Sequence, residues 1–255
     1  MPLYTVNAII LRRINFSETD RIATLYTRER GKISGIAKGA RKPISRLSGA
    51  TEVLTYAKYQ LASGKNLDII TQAEVKESFP RIHGDLNRIA YAAYMAELLD
   101  KFVEEHEANA DLFDLLLSAL YLMERPNDPE KITRMFELQF MKAVGYEPVL
   151  DKCINCRMPI SVSEVSFSPS LGGIVCEKCG ALPEDAIQIS REAADTMQAL
   201  MSADAPEVEQ MEIPQTVMDQ IAHVLRWYIR YRAERELKSL EFLQALRIGA
   251  EPQKE

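Results

Sequence analysis

Several chemistries are excluded by what this sequence of 255 residues lacks. It contains no G-x-x-x-x-G-K-[ST] loop, so nothing in it indicates nucleotide hydrolysis. Its three histidines, His83, His106 and His223, stand far apart and form no H-E-x-x-H pair of the kind that binds catalytic zinc. Carboxylates are abundant, but they occur as the charges of helix surfaces. The sequence therefore favours a binding protein over an enzyme.

Long apolar runs are also absent. The most apolar stretch, Leu112 to Met123, is too short to span a bilayer and contains Asp114 and Ser118. The first thirteen residues lack a basic start, and their apolar residues alternate with polar ones, unlike a signal peptide. We therefore expect a cytoplasmic protein with no membrane partner.

Cysteine is scarce, and all four cysteines fall into one motif. Two C-x2-C pairs, Cys153 with Cys156 and Cys176 with Cys179, are separated by nineteen residues. This is the spacing of a four-thiolate zinc site. Two short disulfides or four unrelated core thiols are the simpler alternatives, and an iron centre or a redox-active pair would use the same residues. Because four thiolates leave no coordination position open, we expect one structural zinc ion.

Charge is unevenly distributed along the chain. Residues 1–80 hold thirteen Lys and Arg against seven Asp and Glu, a net charge of +6, whereas the remaining 175 residues carry −12. Seven of the basic residues lie between Arg28 and Arg46, where Glu29 is the one acid. Such an asymmetry suggests two domains with different partners.

The first eighty residues have the pattern of a small β-domain. Apolar alternation and turn residues predict five strands, at 4–11, 21–27, 32–38, 52–61 and 66–75. Short strands joined by tight turns indicate a closed or partly closed barrel, and the OB-fold is the five-stranded barrel that commonly binds single strands. Three tyrosines, Tyr26, Tyr56 and Tyr59, either stack on bases or form the wall and core of the barrel.

The segment between the third and fourth predicted strands carries four cations and no acid in nine residues. Gly39 and Pro43 rule out a regular strand or helix across the whole segment. On a barrel, such a loop can neutralise phosphates and release their counterions. The alternative is a solvated loop with no partner. Its cations are Lys38, Arg41, Lys42 and Arg46.

After Ser78 the pattern becomes helical. Apolar residues at helical spacing predict helices at 85–105, 111–124, 129–144, from 190, at 213–236 and at 240–248. Asp128, followed by Pro129, and Ser190 are the predicted N-caps of the third and fourth of these helices. The expected fold is therefore α+β and multidomain, with an N-terminal OB-fold barrel followed by an all-α domain. The expected bounds are 1–80 for the barrel domain, 81–150 with 183–249 for the helical domain, 151–182 for the four-cysteine insert and 250–255 for a frayed tail.

The helix predicted at 213–236 carries a second basic cluster. Arg226 and Arg230 share one face with His223, and Trp227 and Tyr231 are interleaved with them. The arginines either pair with carboxylates of the same domain or form an anion site for a phosphate or an acidic peptide terminus. The other arginines of the cluster are Arg232 and Arg235.

Several stretches, taken in order, form a recognisable set. In the first half they are Ala8–Arg12, Ser17–Asp20 and Gly35–Arg46. In the second half they are Phe167 with Gly172-Gly173, Arg226 with Arg230-Tyr231, and Leu237-Lys238-Ser239. Together with the cysteine motif they resemble the RecO family of bacterial recombination mediators over nearly the whole chain. The chain departs from that pattern at residues 233–236, where a turn with glycine and proline is expected.

The resemblance implies a function that composition alone does not. Members of this family bind single- and double-stranded DNA, anneal complementary strands without ATP, and bind the acidic C-terminal tail of single-strand binding protein. With RecR, and in some settings RecF, they help to load RecA at gaps in DNA. They act in the nucleoid.

The resemblance also assigns residues. We expect DNA contacts at Lys38, Arg41, Lys42 and Arg46, with Arg12, Arg13 and Arg28 as further candidates. Arg226 and Arg230 are candidates for an anion or peptide-tail site. The competing hypothesis is a zinc-stapled adaptor between proteins with no direct DNA role, and a zinc-dependent transcription factor is a third.

Overall fold

The computed structural model describes residues 2–65, 67–160, 162–179, 182–233, 237, 239–240 and 243. Apart from residues 240 and 243, the helix predicted at 240–248 and the tail lie outside the described residues. The chain forms two compact units, one of Met1–Pro126 with Leu237–Glu255 and one of Asn127–Glu236. The domain bounds that the sequence predicts differ from these units and stay a prediction, since a compact unit need not be one domain.

The first unit contains a closed five-stranded barrel, which confirms the predicted N-terminal fold class. Its strand order is β1-β2-β3-β5-β4, and neighbouring strands are antiparallel except for the parallel pair β3 and β5. The strands are β1 (Leu3–Asn15), β2 (Arg21–Thr27), β3 (Gly31–Ala37), β4 (Tyr56–Ala62) and β5 (Asp68–Glu77).

The interior of the barrel is filled by alternate residues of these strands. Val6, Ala8 and Ile10 of β1 belong to one buried cluster, as period-two alternation requires. A short helix, α1 (Leu47–Ala50), packs against the same cluster and was not predicted. The barrel is therefore a packed core, so ligands can reach only its outer surface and its loops.

Three further helices belong to this unit: α2 (Pro80–Gly84), α3 (Leu86–Phe102) and α4 (Ala110–Glu124). Asp85 caps α3 by accepting hydrogen bonds from the backbone N–H groups of Asn87 and Arg88. Asn109 caps α4 in the same way. Helices α3 and α4 lie close to the predicted ranges 85–105 and 111–124.

The second unit is mixed rather than purely helical. Asp128 caps α5, with Pro129 in the first turn, and Ser190 caps α6, as the sequence signals predicted. A three-stranded sheet with the order β7-β6-β8 accompanies the helices, and the sequence pattern did not predict it. The elements are α5 (Pro129–Ala143), β6 (Glu164–Ser168), β7 (Gly173–Val175), β8 (Ile187–Ser190), α6 (Arg191–Ser202), α7 (Ala205–Gln210) and α8 (Gln215–Ala233).

In the described part of the chain, none of the helices combines the length and the apolar character that crossing a membrane requires.

Candidate nucleic-acid interface and metal centre

The basic loop, residues 38–46, leaves the barrel beside the turn that joins β1 to β2. Arg21, the first residue of β2, is the register partner of Ala37, the last residue of β3. Asn15, the last residue of β1, also pairs with Arg21. The turn of residues 16–20 and the basic loop therefore emerge at the same end of the barrel.

Hydrogen bonds tie the start of the basic loop to this turn. The backbone N–H of Gly39 donates to Asp20 Oδ1 at 2.9 Å, and the backbone N–H of Arg41 donates to the Thr19 carbonyl oxygen at 2.9 Å. The Arg41 guanidinium donates to the Ser17 carbonyl oxygen. The first half of the basic loop is thus held in place although it contains no regular secondary structure.

Within the described residues, the four cations of the basic loop are exposed and form no ion pair, although Lys38 lies close enough to Asp20 to help lower the pKa of that carboxyl group. Lys38, Arg41, Lys42 and Arg46 are all solvent-exposed. Over the described residues, none of them forms an ion pair with a carboxylate. A loop of this kind retains its full charge for an external anion such as phosphate.

The other three candidate DNA-binding arginines are occupied by carboxylates. Arg12 lies 3.1 Å from Asp100, and Arg13 lies 2.8 Å from Glu52. Arg28 donates two hydrogen bonds to Asp114, at 3.1 and 2.8 Å. These hydrogen bonds, with the attraction of the same carboxylate, raise the pKa of Arg28 above its ordinary value.

Arg28 also lies apart from the basic loop. It follows the last residue of β2, whereas the basic loop is beside Arg21 at the other end of that strand. A strand of seven residues spans about 20 Å. The structure therefore separates Arg28 from the cluster of Lys38, Arg41, Lys42 and Arg46.

The tyrosines proposed as base-stacking candidates differ in how deeply they are buried. Tyr26 and Tyr59 are 0% exposed, and the Tyr59 hydroxyl donates to the Ala50 carbonyl oxygen at 2.6 Å. The core interpretation holds for these two, and the stacking interpretation is wrong. Tyr56 is half-buried beside Phe113, with ring centroids 6.0 Å apart.

The residues that hold the basic loop were not predicted from the sequence. Asp20 accepts the Gly39 N–H, and Glu52 binds Arg21 at 3.0 Å beneath the same end of the barrel. Arg21 also donates to the Ser48 carbonyl oxygen at 3.1 Å. The signal for Asp20 was its place in the polar turn Ser17–Asp20, but nothing in the sequence pointed to Glu52.

In the second unit, the four cysteines converge. Their sulfur atoms all lie within 4.8 Å of one another and could hold a metal ion. Three of the separations are 3.7 Å for Cys153–Cys179, 3.6 Å for Cys156–Cys176 and 3.5 Å for Cys176–Cys179. A tetrahedron of thiolates with bonds of about 2.3 Å has edges of about 3.8 Å, so the cluster has the right size.

The electrostatics of the cluster also suit a cation. Burial raises the pKa of Cys153, but N–H groups that include those of Cys156, Cys176 and Asn155 outweigh it and lower the pKa to about 6. The pKa of Cys179 is raised to about 12, above all by its hydrogen bond with Cys176. Four sulfurs this close can all be thiolates only when a cation sits between them.

One face of α8 borders a groove of about 570 Å³. Trp227 and Tyr231, which are 42% and 54% exposed, lie beside Arg230 along it. The Arg230 guanidinium stands 5.5 Å from the centre of the Trp227 ring. The groove is also lined by Pro169, Glu184, Asp185, Ala186 and Ile187.

Two carboxylates line the groove, and one of them, Asp185, accepts hydrogen bonds from neighbouring residues. Asp185 accepts hydrogen bonds from Ser168 Oγ at 2.9 Å and from the Ser170 backbone N–H at 2.6 Å. Partial burial raises the pKa of Asp185, but these hydrogen bonds hold it below its ordinary value. Glu184 is exposed. Arg226 is half-buried and does not line the groove, and Arg235 lies outside the described residues.

A glycine pair lets the chain pass closely under α8. A Cβ on Gly172 would lie 2.7 Å from Arg232 Nη2 and 3.2 Å from the Tyr228 hydroxyl, and one on Gly173 would lie 2.9 Å from Val149 Cβ. Arg232 donates to the Ser170 carbonyl oxygen at 3.2 Å. Gly172 also has a positive φ of 79°.

Comparison with known sequences agrees with these features. Residues 1–79 match the family model for the N-terminal part of recombination protein O, and residues 83–241 match the model for its C-terminal part.

Curated relatives cover almost the whole chain. The chain is 38% identical to a protein of Symbiobacterium thermophilum over 250 residues, 97% of this chain and 99% of the relative. It is 37% identical to a protein of Desulforamulus reducens (96% of each chain) and 37% identical to one of Pelotomaculum thermopropionicum (99% of this chain and 97% of the relative). All three carry the name DNA repair protein RecO. The chain therefore belongs to the RecO family.

Proposed function

We propose that the protein is a non-enzymatic recombination mediator of DNA repair that binds single- and double-stranded DNA through its basic loop. The observation that supports this assignment is the contrast among seven candidate cations. Arg12, Arg13 and Arg28 form ion pairs with carboxylates, whereas the four cations of the basic loop form none within the described residues. The proposal therefore places the main phosphate contacts at Lys38, Arg41, Lys42 and Arg46.

The chemistry of such a loop is sequence-independent. Each cation placed near a phosphate releases a condensed counterion, and the gain in entropy drives binding. A surface that neutralises the backbones of two strands also lowers their mutual repulsion, which favours annealing of complementary strands. No ATP enters this scheme, in keeping with a sequence that has no nucleotide-binding loop.

We assign one zinc ion to the four cysteines, with a structural role. Zinc prefers four thiolates in a closed tetrahedral site, and the sulfur separations of 3.5 to 3.7 Å fit that geometry. Cys153, which is buried, and Cys156, Cys176 and Cys179 would be its ligands. The ion would connect the two short knuckles and stabilise the segment around β6 and β7.

The α8 groove is our candidate for the acidic tail of single-strand binding protein. Its apolar walls can take a hydrophobic side chain, and Arg230 can bind a carboxylate at its edge. Arg226, one turn earlier on α8, adds positive charge. An acidic peptide would have to place its charges near Arg230 and away from Glu184, which also lines the groove.

The wider role follows from family membership. The protein would act with RecR, and indirectly with RecF, to help load RecA onto DNA coated with single-strand binding protein. It would work in the cytoplasm at the nucleoid. The competing function is an adaptor without a direct DNA role, and that function does not explain the exposed cations of the basic loop.

A strand-annealing assay separates the two functions. Complementary oligonucleotides coated with single-strand binding protein are mixed with the full-length protein in the absence of ATP. We expect acceleration by the wild type and its loss in a Lys38/Arg41/Lys42/Arg46→Ala variant. An adaptor would leave the annealing rate at its spontaneous value, and that result would refute the proposal.

A further inference from the structure

The turn between β1 and β2, which is hydrogen-bonded to the basic loop, contains an exposed aromatic residue. Phe16 directly follows the last residue of β1 and is 60% exposed. Its backbone N–H donates to the Asp20 carbonyl oxygen at 3.1 Å, which closes the turn. A single exposed apolar residue is ordinary on a protein surface, so the location of Phe16 carries the argument.

The turn of Phe16 and the basic loop are one hydrogen-bonded structure. The guanidinium of Arg41 donates to the carbonyl oxygen of Ser17, the residue next to Phe16. In the part of the chain that is described, this is the one hydrogen bond of that guanidinium, so its other N–H groups can bind a phosphate. The structure therefore places an exposed aromatic residue in the turn to which an exposed cation of the basic loop is hydrogen-bonded.

We infer that Phe16 stacks on an unpaired base of the DNA strand whose phosphates contact the basic loop. An aromatic ring next to cations is the combination that binds single strands without sequence preference, because every base has a π-face. In a duplex the bases are already stacked and paired, so the ring adds affinity for single strands alone. Phe16 is exposed and can stack on a base, whereas Tyr26 and Tyr59 are buried and cannot.

The inference rests on the proposed DNA-binding function, and the experiment keeps the two apart. The affinity of the full-length protein is measured by fluorescence anisotropy for an oligo-dT strand and for an abasic strand of equal length. The variants are Phe16→Ala, Phe16→Trp and Leu3→Ala. Leu3 is a matched control, since it is also 60% exposed but lies at the other end of β1.

We expect Phe16→Ala to weaken binding of oligo-dT by about 5- to 150-fold, the range for loss of one base–aromatic stack. Phe16→Trp should bind like the wild type, and Leu3→Ala should be without effect. On the abasic strand, wild type and Phe16→Ala should bind equally, because only the base contact differs.

Four results would overturn the inference. If the wild type binds oligo-dT and Phe16→Ala binds it equally well, the ring makes no base contact, although DNA binding stands. If Phe16→Ala weakens binding to the abasic strand to the same extent, the ring supports the turn instead. The same conclusion follows if Phe16→Trp binds no better than Phe16→Ala. If the wild type binds neither strand, the proposed function itself fails.

Discussion

Asp20 Oδ1 accepts the backbone N–H of Gly39 at 2.9 Å, and this hydrogen bond joins the β1–β2 turn to the basic loop. The same hydrogen bond lowers the pKa of the Asp20 carboxyl group, and the Thr19 hydroxyl adds to the effect at 2.8 Å. A carboxylate of the turn and a glycine of the basic loop thus help to hold the start of the loop that carries the four cations.

We expect Asp20→Ala to increase hydrogen exchange at the amides of Gly39 and Arg41. The Gly39 N–H loses its acceptor, and the neighbouring hydrogen bond from the Arg41 N–H to the Thr19 carbonyl oxygen is weakened because the loop is less firmly held. Asp20→Asn keeps an oxygen at this position and should show a smaller increase. Hydrogen exchange read by NMR or mass spectrometry measures both variants. Unchanged exchange at Gly39 in the Ala variant would show that the hydrogen bond does not hold the loop.

The same hydrogen bond has a defined pH dependence. The folded pKa of Asp20 lies below the unfolded value of about 3.9, so its stabilising effect is fully present above that value. The effect is lost as the pH falls through the folded pKa. The chemical shift of the Gly39 amide should therefore stay constant from neutral pH down to about 4 and titrate only below it.

Substitutions at Gly172 and Gly145 of the second unit distinguish the cost of backbone strain from the cost of a steric clash. Both have positive φ, 79° and 86°, but an added Cβ meets nothing within 4 Å at Gly145 and meets Arg232 and Tyr228 at Gly172. Gly145→Ala should cost about 1 to 2 kcal/mol from backbone strain alone. Gly172→Ala should cost about 1 kcal/mol more, because the Arg232 guanidinium must move away from the added Cβ and give up its hydrogen bond to the Ser170 carbonyl oxygen.

Urea unfolding followed by the fluorescence of Trp227, the single tryptophan, measures both glycine variants. Equal losses of unfolding free energy at Gly172 and Gly145 would contradict the close approach of Gly172 to α8.

Metal removal should affect the two units differently. The four-cysteine segment belongs to the second unit, whereas the basic loop belongs to the first. A chelator, or Cys153→Ser at the buried ligand, should release one zinc ion per chain and speed hydrogen exchange in β6 and β7. Affinity for single-stranded DNA should not change. A parallel loss of DNA affinity would show that the metal site supports the DNA-binding surface.

Two substitutions in the α8 groove should change the affinity for the peptide in opposite directions. Arg230→Glu should weaken binding of a peptide with the tail sequence of single-strand binding protein by about tenfold or more, since a charge-assisted hydrogen bond is replaced by repulsion. Glu184→Gln should strengthen binding, because it removes a negative charge from the lining of the groove. Isothermal titration calorimetry measures both.

Lys142→Ala is the matched control for the groove, since Lys142 lies in the same unit but pairs with Glu147 at 3.2 Å outside the groove. If Arg230→Glu and Lys142→Ala had equal effects on the peptide, the groove would not be the binding site.

The sequence predicted what depends on local pattern. The five strands followed from alternation and turn residues, and the metal cluster followed from the spacing of Cys153, Cys156, Cys176 and Cys179. The caps at Asp128 and Ser190 were equally local.

What the sequence could not show depends on partners distant along the chain. Arg28 and Arg41 look alike in sequence, but Arg28 meets Asp114, which is 86 residues away. Tyr59 points into the barrel, whereas Tyr26 is buried on the outer face of β2 against Phe113 of α4, and both placements depend on register and on partners distant in sequence. The small sheet of β6, β7 and β8 has strands of five, three and four residues, too short for a period-two pattern to emerge.

The salt dependence of binding to single-stranded DNA tests the central claim most directly. The slope of log affinity against log salt concentration is measured for the wild type, for the Lys38/Arg41/Lys42/Arg46→Ala variant, and for an Arg12/Arg13/Arg28→Ala control. Because each lost phosphate contact lowers the slope by about 0.7, the first variant should lose up to about 3 and bind far more weakly. The control, whose arginines are already paired, should lose less than about 1. An unchanged slope in the first variant would contradict the assignment of DNA binding to the basic loop.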